Sequence, residues 1–339
     1  MRAMLLSAPL TLEIVEQPDP VIENDDDVVV RVRAASVCGS DTHGYDGRNG
    51  RRVPPLVMGH EASGEVVAVG SAVTAVKPGD RVFVMPMHWC GTCDACAHGQ
   101  FDLCPERKVY GGDLPGAFAE LFRVSERTAI PIPDEVTFRQ AALIEPLAVV
   151  VKGLARAKFD AGDSAAVIGG GPIGLIATAV LALHRPHHLV VMEPLPARRE
   201  IARQMGATLV LDPTQDGAMD AFMQATNGLG ADLTVEAVGS TASVRSAVDA
   251  TRAGGQLIWL GNVGRIVEID EFKVVWNQLT IHASVGVSRR SVERAIELIA
   301  DGAVPVENIL SLDVPLDEAV DAFHRTARDP DIVKTIIRP

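Results

Sequence analysis

Between Cys38 and Glu61 the chain offers a thiol, an imidazole and a carboxylate. The stretch opens Cys38-Gly39-Ser40-Asp41-Thr42-His43 and closes Gly59-His60-Glu61. These are ligand types that zinc takes, and Ser40 and His43 add two groups able to move a proton. Further along, Glu145 stands alone in the apolar run Ala142-Leu143-Ile144-Glu145-Pro146-Leu147. An acid in such a run is costly unless it is paired or coordinates a metal. Taken singly, each residue has a plainer account. Cys38 could be a small buried hydrophobe, His60 a satisfied core histidine and Glu61 a solvated charge, with Ser40 and His43 flanking a helix start. No local spacing rule joins Glu145 to Cys38, so spacing alone leaves the choice open.

Two further patterns are more specific. Cys90-x2-Cys93-x2-Cys96-x7-Cys104 places four thiols within one short segment. Four soft thiolates close a tetrahedron around zinc with no open position, which makes a structural site that staples a loop. His98 lies inside the cluster and could replace one sulfur, but it reads better as a loop histidine. Gly169-Gly170-Gly171-Pro172-Ile173-Gly174 fits G-x-G-x-x-G, follows a strand candidate and opens a helix candidate, and Glu193 ends the next strand. In that context it is a dinucleotide fingerprint. Gly169, Gly171 and Gly174, with Pro172 and Ile173, let the backbone and the helix N-terminus approach a pyrophosphate. Glu193 is placed to bind the adenosine ribose hydroxyls, and Arg198, close behind it, joins the expected cofactor contacts.

The elements that must position these groups fall into two kinds. Residues 1–148 read as short Val-rich strands, such as Val28–Val32, Glu65–Val69 and Arg81–Val84, separated by Pro, Gly and Asp, which suggests a barrel or sandwich. Residues 149–287 alternate strand and helix, the pattern of a doubly wound parallel sheet. Residues 288–339 are expected to return to the first domain, with helices at Ser291–Ala300 and from about Pro315, and a last strand at Ile332–Ile337. A chain of 339 residues is long for one core. A formal charge of −13 argues against nucleic-acid binding, which needs a basic face. The apolar stretch Ala165–Leu183 is better explained by a buried strand, turn and helix than by a membrane span. Met1–Leu12 lacks the pattern of a signal peptide, so a cytoplasmic location and reduced thiols are expected.

The combination of motifs resembles the zinc-dependent medium-chain alcohol dehydrogenases, in their polyol (sorbitol-like) dehydrogenase branch. The matching residues are Cys38-Gly39-Ser40-Asp41-x-His43, Gly59-His60-Glu61, the four-cysteine lobe, Ile144-Glu145-Pro146-Leu147 and the glycine fingerprint, in family order along the whole chain. The resemblance implies an α/β protein, with a GroES-like, β-barrel-like catalytic domain and a Rossmann domain. It implies one catalytic and one structural zinc per chain, and NAD as hydride acceptor. Cys38 and His60 would hold the catalytic zinc, with Glu61 as a ligand or an exchanging near-ligand. Glu145 would bind that zinc or hydrogen-bond its water. Ser40 would touch the substrate oxygen, and His43 would carry the proton onward. Phe118, in Gly116-Ala117-Phe118-Ala119-Glu120, matches a pocket-lining position. One departure stands out: sorbitol dehydrogenases carry an Arg-aromatic pair where this chain has Gly286-Val287, with Arg289 and Arg290 slightly later.

The expected activity is reversible oxidation of a secondary alcohol on a small polyol or sugar-derived substrate, at a cleft between the domains. The alternatives are the same chemistry on a polyol phosphate or a threonine-like amino alcohol, or a non-catalytic NAD-binding protein of this fold. A homo-oligomer is expected, with a tetramer favoured over a dimer by analogy.

Overall fold

The computed structural model describes residues 1–47, 50–264 and 266–339. They divide into two compact units. One comprises Met1–Glu145, Gly286–Asp301 and Leu310–Pro339, the other Pro146–Val285 and Gly302–Ile309.

The first unit is built on the strand Asp27–Ser36. Its apolar ends are buried on both faces, while Arg31 and Arg33 reach solvent in the middle. It pairs antiparallel with Glu61–Val69, Leu121–Ser125 and Lys334–Arg338 in a seven-stranded sheet. Leu310–Pro315 lies parallel beside the last of these. A three-stranded sheet joins Arg2–Ala8, Thr11–Glu16 and Leu56–Val57. The core between these sheets is largely Val and Ala, with Met4, Met58, Phe118, Phe122 and Phe323 as its larger fillers. The closing strand starts at Lys334 rather than Ile332. Ile332 and Val333 are still buried, but the Val333 N–H goes to the side-chain Oγ of Ser311 instead of a backbone carbonyl of that neighbouring strand. This registration brings Ile336 opposite Ser36, and Glu61 lies opposite Ser36 on the other side.

The second unit is a six-stranded parallel sheet in the order Leu209–Leu211, Leu189–Met192, Ala165–Ile168, Ala231–Glu236, Thr251–Trp259, Thr280–Ala283. The strand order reverses at Ala165–Ile168, and the glycine turn leaves from the carboxyl end of that strand. In open α/β sheets this is where ligands bind. The helix Pro172–Ala182 carries Pro at its first turn and is buried from Gly174 to Leu181. A helix that is apolar all round belongs inside a protein or a membrane. Here it follows the buried strand Ala165–Ile168, and among the described residues no helix is long and apolar enough to cross a membrane.

Candidate metal and cofactor sites

Cys38 is the N-cap of the short helix Gly39–Gly44. Its Sγ accepts the Ser40 N–H at 3.5 Å, and Asp41 Oδ2 accepts the Cys38 N–H at 3.1 Å. The cap therefore fixes the sulfur and turns Asp41 inward, where it is fully buried. His60 and Glu61 arrive by a different route. Gly59 has φ +95, and the ring of Phe118 occupies the space its Cβ would take, at 2.7 Å. Only glycine suits a left-handed turn with a ring packed on it. Adjacent residues in one strand point to opposite faces. The turn leaves His60 outside the strand that begins at Glu61, so both side chains reach Cys38. The donor atoms of Cys38, His60 and Glu61 all lie within 4.8 Å of one another.

Glu145 is not in that group, although it is buried and electrostatically tied to it. Burial, with the Glu61 charge adding to it, pushes its carboxyl up to about 7. His60 is raised well above its ordinary value. Burial works against its charge, and Asp41 and Cys38 more than reverse that. Asp41 Oδ1 lies 3.4 Å from His60 Nδ1, close enough for attraction but without hydrogen-bond alignment, so Nδ1 is buried with no hydrogen-bond partner. Asp41 itself is held well below the usual carboxylate range: His60 and Arg52 outweigh the opposing effect of burial.

Four residues outside the expected set complete the site. Lys334 is buried and places Nζ 2.5 Å from Glu61 Oε2. Ser36 Oγ donates to the same oxygen. Arg52, also buried, donates from Nε and Nη2 to Asp41 Oδ1 at 3.1 and 2.7 Å, and from Nη2 to Ser40 Oγ at 3.0 Å. Asp41 is the fourth. Burial opposes the Lys334 charge, but Glu61 and Cys38 beside it leave its ammonium group firmer than usual. One of these had a visible signal. Lys334 sits in the apolar run Ile332-Val333-Lys334-Thr335-Ile336-Ile337, the same anomaly that marks Glu145.

These groups test whether a metal fits. Cys38 as thiolate, Asp41, Glu61 and Glu145 are four potential anions, and Lys334 and Arg52 are two fixed cations. In this company His60 and Glu145 are both pushed toward their protonated forms. A divalent cation among Cys38, His60 and Glu61 would compete with the proton for the His60 lone pair and would offset the neighbouring negative charge. The donor set fits zinc.

The four-cysteine lobe fits as well. Cys90, Cys93, Cys96 and Cys104 have their sulfurs within 4.8 Å of one another. Individual separations are 3.5 Å for Cys93–Cys96, 3.6 Å for Cys104–Cys90 and 3.9 Å for Cys90–Cys96. Zn–S bonds of about 2.3 Å in a tetrahedron put sulfurs about 3.8 Å apart. His98 is exposed, with Nδ1 on the Asp94 carbonyl at 2.8 Å, and lies outside the cluster.

Ser40 and His43 are both exposed, and His43 lies over Gly39. Phe118, expected to line the pocket, has no accessible surface. It is a core residue that packs against the Gly59 turn. Its apolar ring had more to gain in the core than at a polar pocket.

In the second unit Gly169 has φ +100, and a Cβ on Gly174 would strike the Gly169 carbonyl oxygen. Gly171 caps the helix that Pro172, Ile173 and Gly174 begin. Glu193 is buried, with Oε2 accepting the Gly170 N–H at 2.6 Å and Oε1 the Leu195 N–H at 2.9 Å. Arg199 turns to the Glu193 and Pro194 carbonyls and to Asp212. Arg198 Nη1 lies 4.0 Å from where a Gly171 Cβ would be.

Comparison with known proteins agrees with this architecture. Residues 24–134 match the alcohol dehydrogenase GroES-like domain, and residues 172–301 match the zinc-binding dehydrogenase family. The chain is 32% identical to sorbitol dehydrogenase of Bacillus subtilis (strain 168), over 100% of this chain and 97% of that protein. It is also 32% identical to 2-dehydro-3-deoxy-L-galactonate 5-dehydrogenase of Pseudoalteromonas atlantica, over 92% of this chain and 91% of the relative. Among solved structures, a zinc-binding dehydrogenase from Sinorhizobium meliloti 1021 bound to NADP matches with a TM-score of 0.90 at 29% identity, covering 100% of this chain and 99% of that one. The chain belongs to the zinc-dependent medium-chain polyol dehydrogenase family.

The buried Glu61–Lys334 pair gives a stability prediction. Lys334→Met leaves a carboxylate without its cation and is expected to cost about 3–5 kcal/mol. Adding Glu61→Gln should cost less than the two single losses together, because the residues are in contact. Urea midpoints of the four proteins measure this, and strictly additive losses would show that the pair is not coupled.

Proposed function

We propose that the protein oxidises a secondary alcohol on a small polyol or sugar-derived substrate, reversibly, with NAD as cofactor. The observation that carries this reading is the convergence of Cys38, His60 and Glu61 next to the helix that presents Ser40 and His43. Zinc at this place would supply a Lewis acid for the alcohol oxygen, and NAD would supply the hydride acceptor. Cys38 and His60 would hold the metal with Glu61, and Asp41 would orient the His60 ring from behind. Lys334 and Ser36 occupy Oε2 of Glu61, which leaves Oε1 the less encumbered donor. Glu145 would serve as a buried acid near the metal. As the alcohol loses its carbinol hydrogen as hydride and becomes a carbonyl compound, its hydroxyl proton would pass to Ser40 Oγ. The Ser40 proton would go on through His43, whose exposure suits release to solvent.

Cys90, Cys93, Cys96 and Cys104 would hold a second, closed zinc. Gly169 to Gly174 would cradle the pyrophosphate with Arg198 beside the turn, and Glu193 would take the ribose hydroxyls. The backbone N–H bonds already fixing Glu193 support NAD rather than NADP. They hold a carboxylate where a 2′-phosphate would be repelled. Clustered free thiols favour a reducing cytoplasm. A homo-oligomer, with a tetramer favoured, is the assembly we infer by analogy with the family.

The deciding experiment is an NADH-formation screen over polyols, sugar acids, sugar phosphates and amino alcohols. Turnover of unphosphorylated polyols is expected. Silence over the whole panel with zinc fully loaded would reject the enzyme reading, and a preference for phosphorylated substrates would replace it. The kcat/KM with NAD should exceed that with NADP, and equal values would remove Glu193 from the proposed role. The two metals should also leave at different rates, since one site has four thiolates and the other at most one. Mild chelation is expected to remove about one zinc per chain and abolish turnover, while circular dichroism and NAD binding persist. Added zinc should restore activity. Metal content, activity and circular dichroism on one chelation series check this, and loss of fold in step with activity would reverse the two roles.

A further inference from the structure

Arg52 is a buried cation whose Nη2 touches both the proposed proton acceptor and the carboxylate behind the metal ligands. It donates to Ser40 Oγ at 3.0 Å and to Asp41 Oδ1 at 2.7 Å, and Nε adds a second bond to the same Asp41 oxygen at 3.1 Å. Asp41 is itself tied to the Cys38 backbone through Oδ2. The Ser40 hydroxyl is therefore held to the same frame as the residues proposed to bind zinc. This contact crosses eleven to twelve positions of sequence, and no motif in the chain announces it.

We propose that Arg52 is a positioning residue for proton transfer, acting through Ser40; the inference rests on the proton path proposed above. A serine hydroxyl has one hydrogen to donate and two lone pairs to accept with. Arg52 fills one lone pair. What remains is one lone pair, to receive the proton of the substrate hydroxyl, and one hydrogen, to be passed on. The hydroxyl becomes a device with one entry and one exit. Guanidinium stays protonated at any pH the enzyme meets and has no acceptor position. Arg52 therefore cannot take the proton itself or short-circuit the path. Its positive charge also favours the outward release of the Ser40 hydrogen. Asp41 neutralises that charge and keeps the guanidinium from swinging away.

The competing account is that Arg52 only braces Asp41. A double-mutant cycle separates the two, because a residue that acts through Ser40 has nothing to act on once the hydroxyl is gone. Wild type, Ser40→Ala, Arg52→Gln and the double variant are compared for kcat, KM, solvent deuterium isotope effect, zinc per chain and NAD affinity. Ser40→Ala should lower kcat about 10²–10⁴-fold. Arg52→Gln should lower kcat about 10- to 100-fold, the worth of one charged hydrogen bond, and raise the solvent isotope effect as proton transfer becomes limiting. Zinc content and NAD affinity should stay at wild-type values. In the Ser40→Ala background, Arg52→Gln should cost less than about twofold. Additive losses in kcat, or loss of zinc in Arg52→Gln, would overturn the inference and leave Arg52 a brace. Wild-type turnover by Ser40→Ala would instead overturn the proton path, and the inference with it. If Arg52→Gln does not fold, the same cycle with Arg52→Lys decides. A loss that vanishes without the Ser40 hydroxyl supports the inference, and one that persists rejects it.

Discussion

The constraint behind this site is charge taken out of water. Asp41, Glu61 and Glu145 are all buried, with the Cys38 sulfur beside them. Isolated anions in such a place cost many kcal/mol, so they must be paired, protonated or bound to metal. The fold supplies two permanent cations, Arg52 against Asp41 and Lys334 against Glu61. The neighbouring anions push His60 toward its protonated form, and burial with the Glu61 charge does the same to Glu145. A dication held by Cys38, His60 and Glu61 would offset that negative charge.

That constraint also explains why the chain returns to the first unit at its end. Lys334 reaches Glu61 because the strand Lys334–Arg338 pairs with Asp27–Ser36, which in turn pairs with Glu61–Val69. Three separated segments must be in register before the carboxylate has its partner. The four-cysteine lobe is the opposite case. Its sulfurs come from one short segment and stand at spacings a tetrahedral zinc already satisfies. One site depends on its ligands for its fold, and the other depends on its fold for its ligands.

The difference sets what could be read from the sequence. Local patterns were legible: the cysteine spacing, the glycine turn between strand and helix, and the alternation of the parallel sheet all reflect short-range geometry. So was the anomaly of Glu145, an acid in an apolar run. The pairings of Asp41 and Glu61 were not legible, because a hydrogen bond across eleven positions and an ion pair between distant strands leave no periodic trace. Lys334 carried the same kind of anomaly as Glu145 and could have been found by the same rule. Phe118 shows where family likeness exceeds its warrant. The residue matches by position, yet its ring fills the space that Gly59 leaves open and has no surface to offer.

Asp41 shows how the pieces act on one another. Its Oδ2 is spent on the Cys38 N–H, so Oδ1 alone must serve both Arg52 and His60. Arg52 holds that oxygen at 2.7 Å, and His60 Nδ1 stands back at 3.4 Å without alignment. The competition is what one expects of a single oxygen offered a forked guanidinium and an imidazole, since the fork makes two bonds at once. A divalent ion held by His60 would take one ring nitrogen and leave the other as the N–H that faces Asp41. Arg52 and His60 would then draw on the same carboxylate oxygen. The grip on Ser40 and the grip on the metal are joined through this one oxygen.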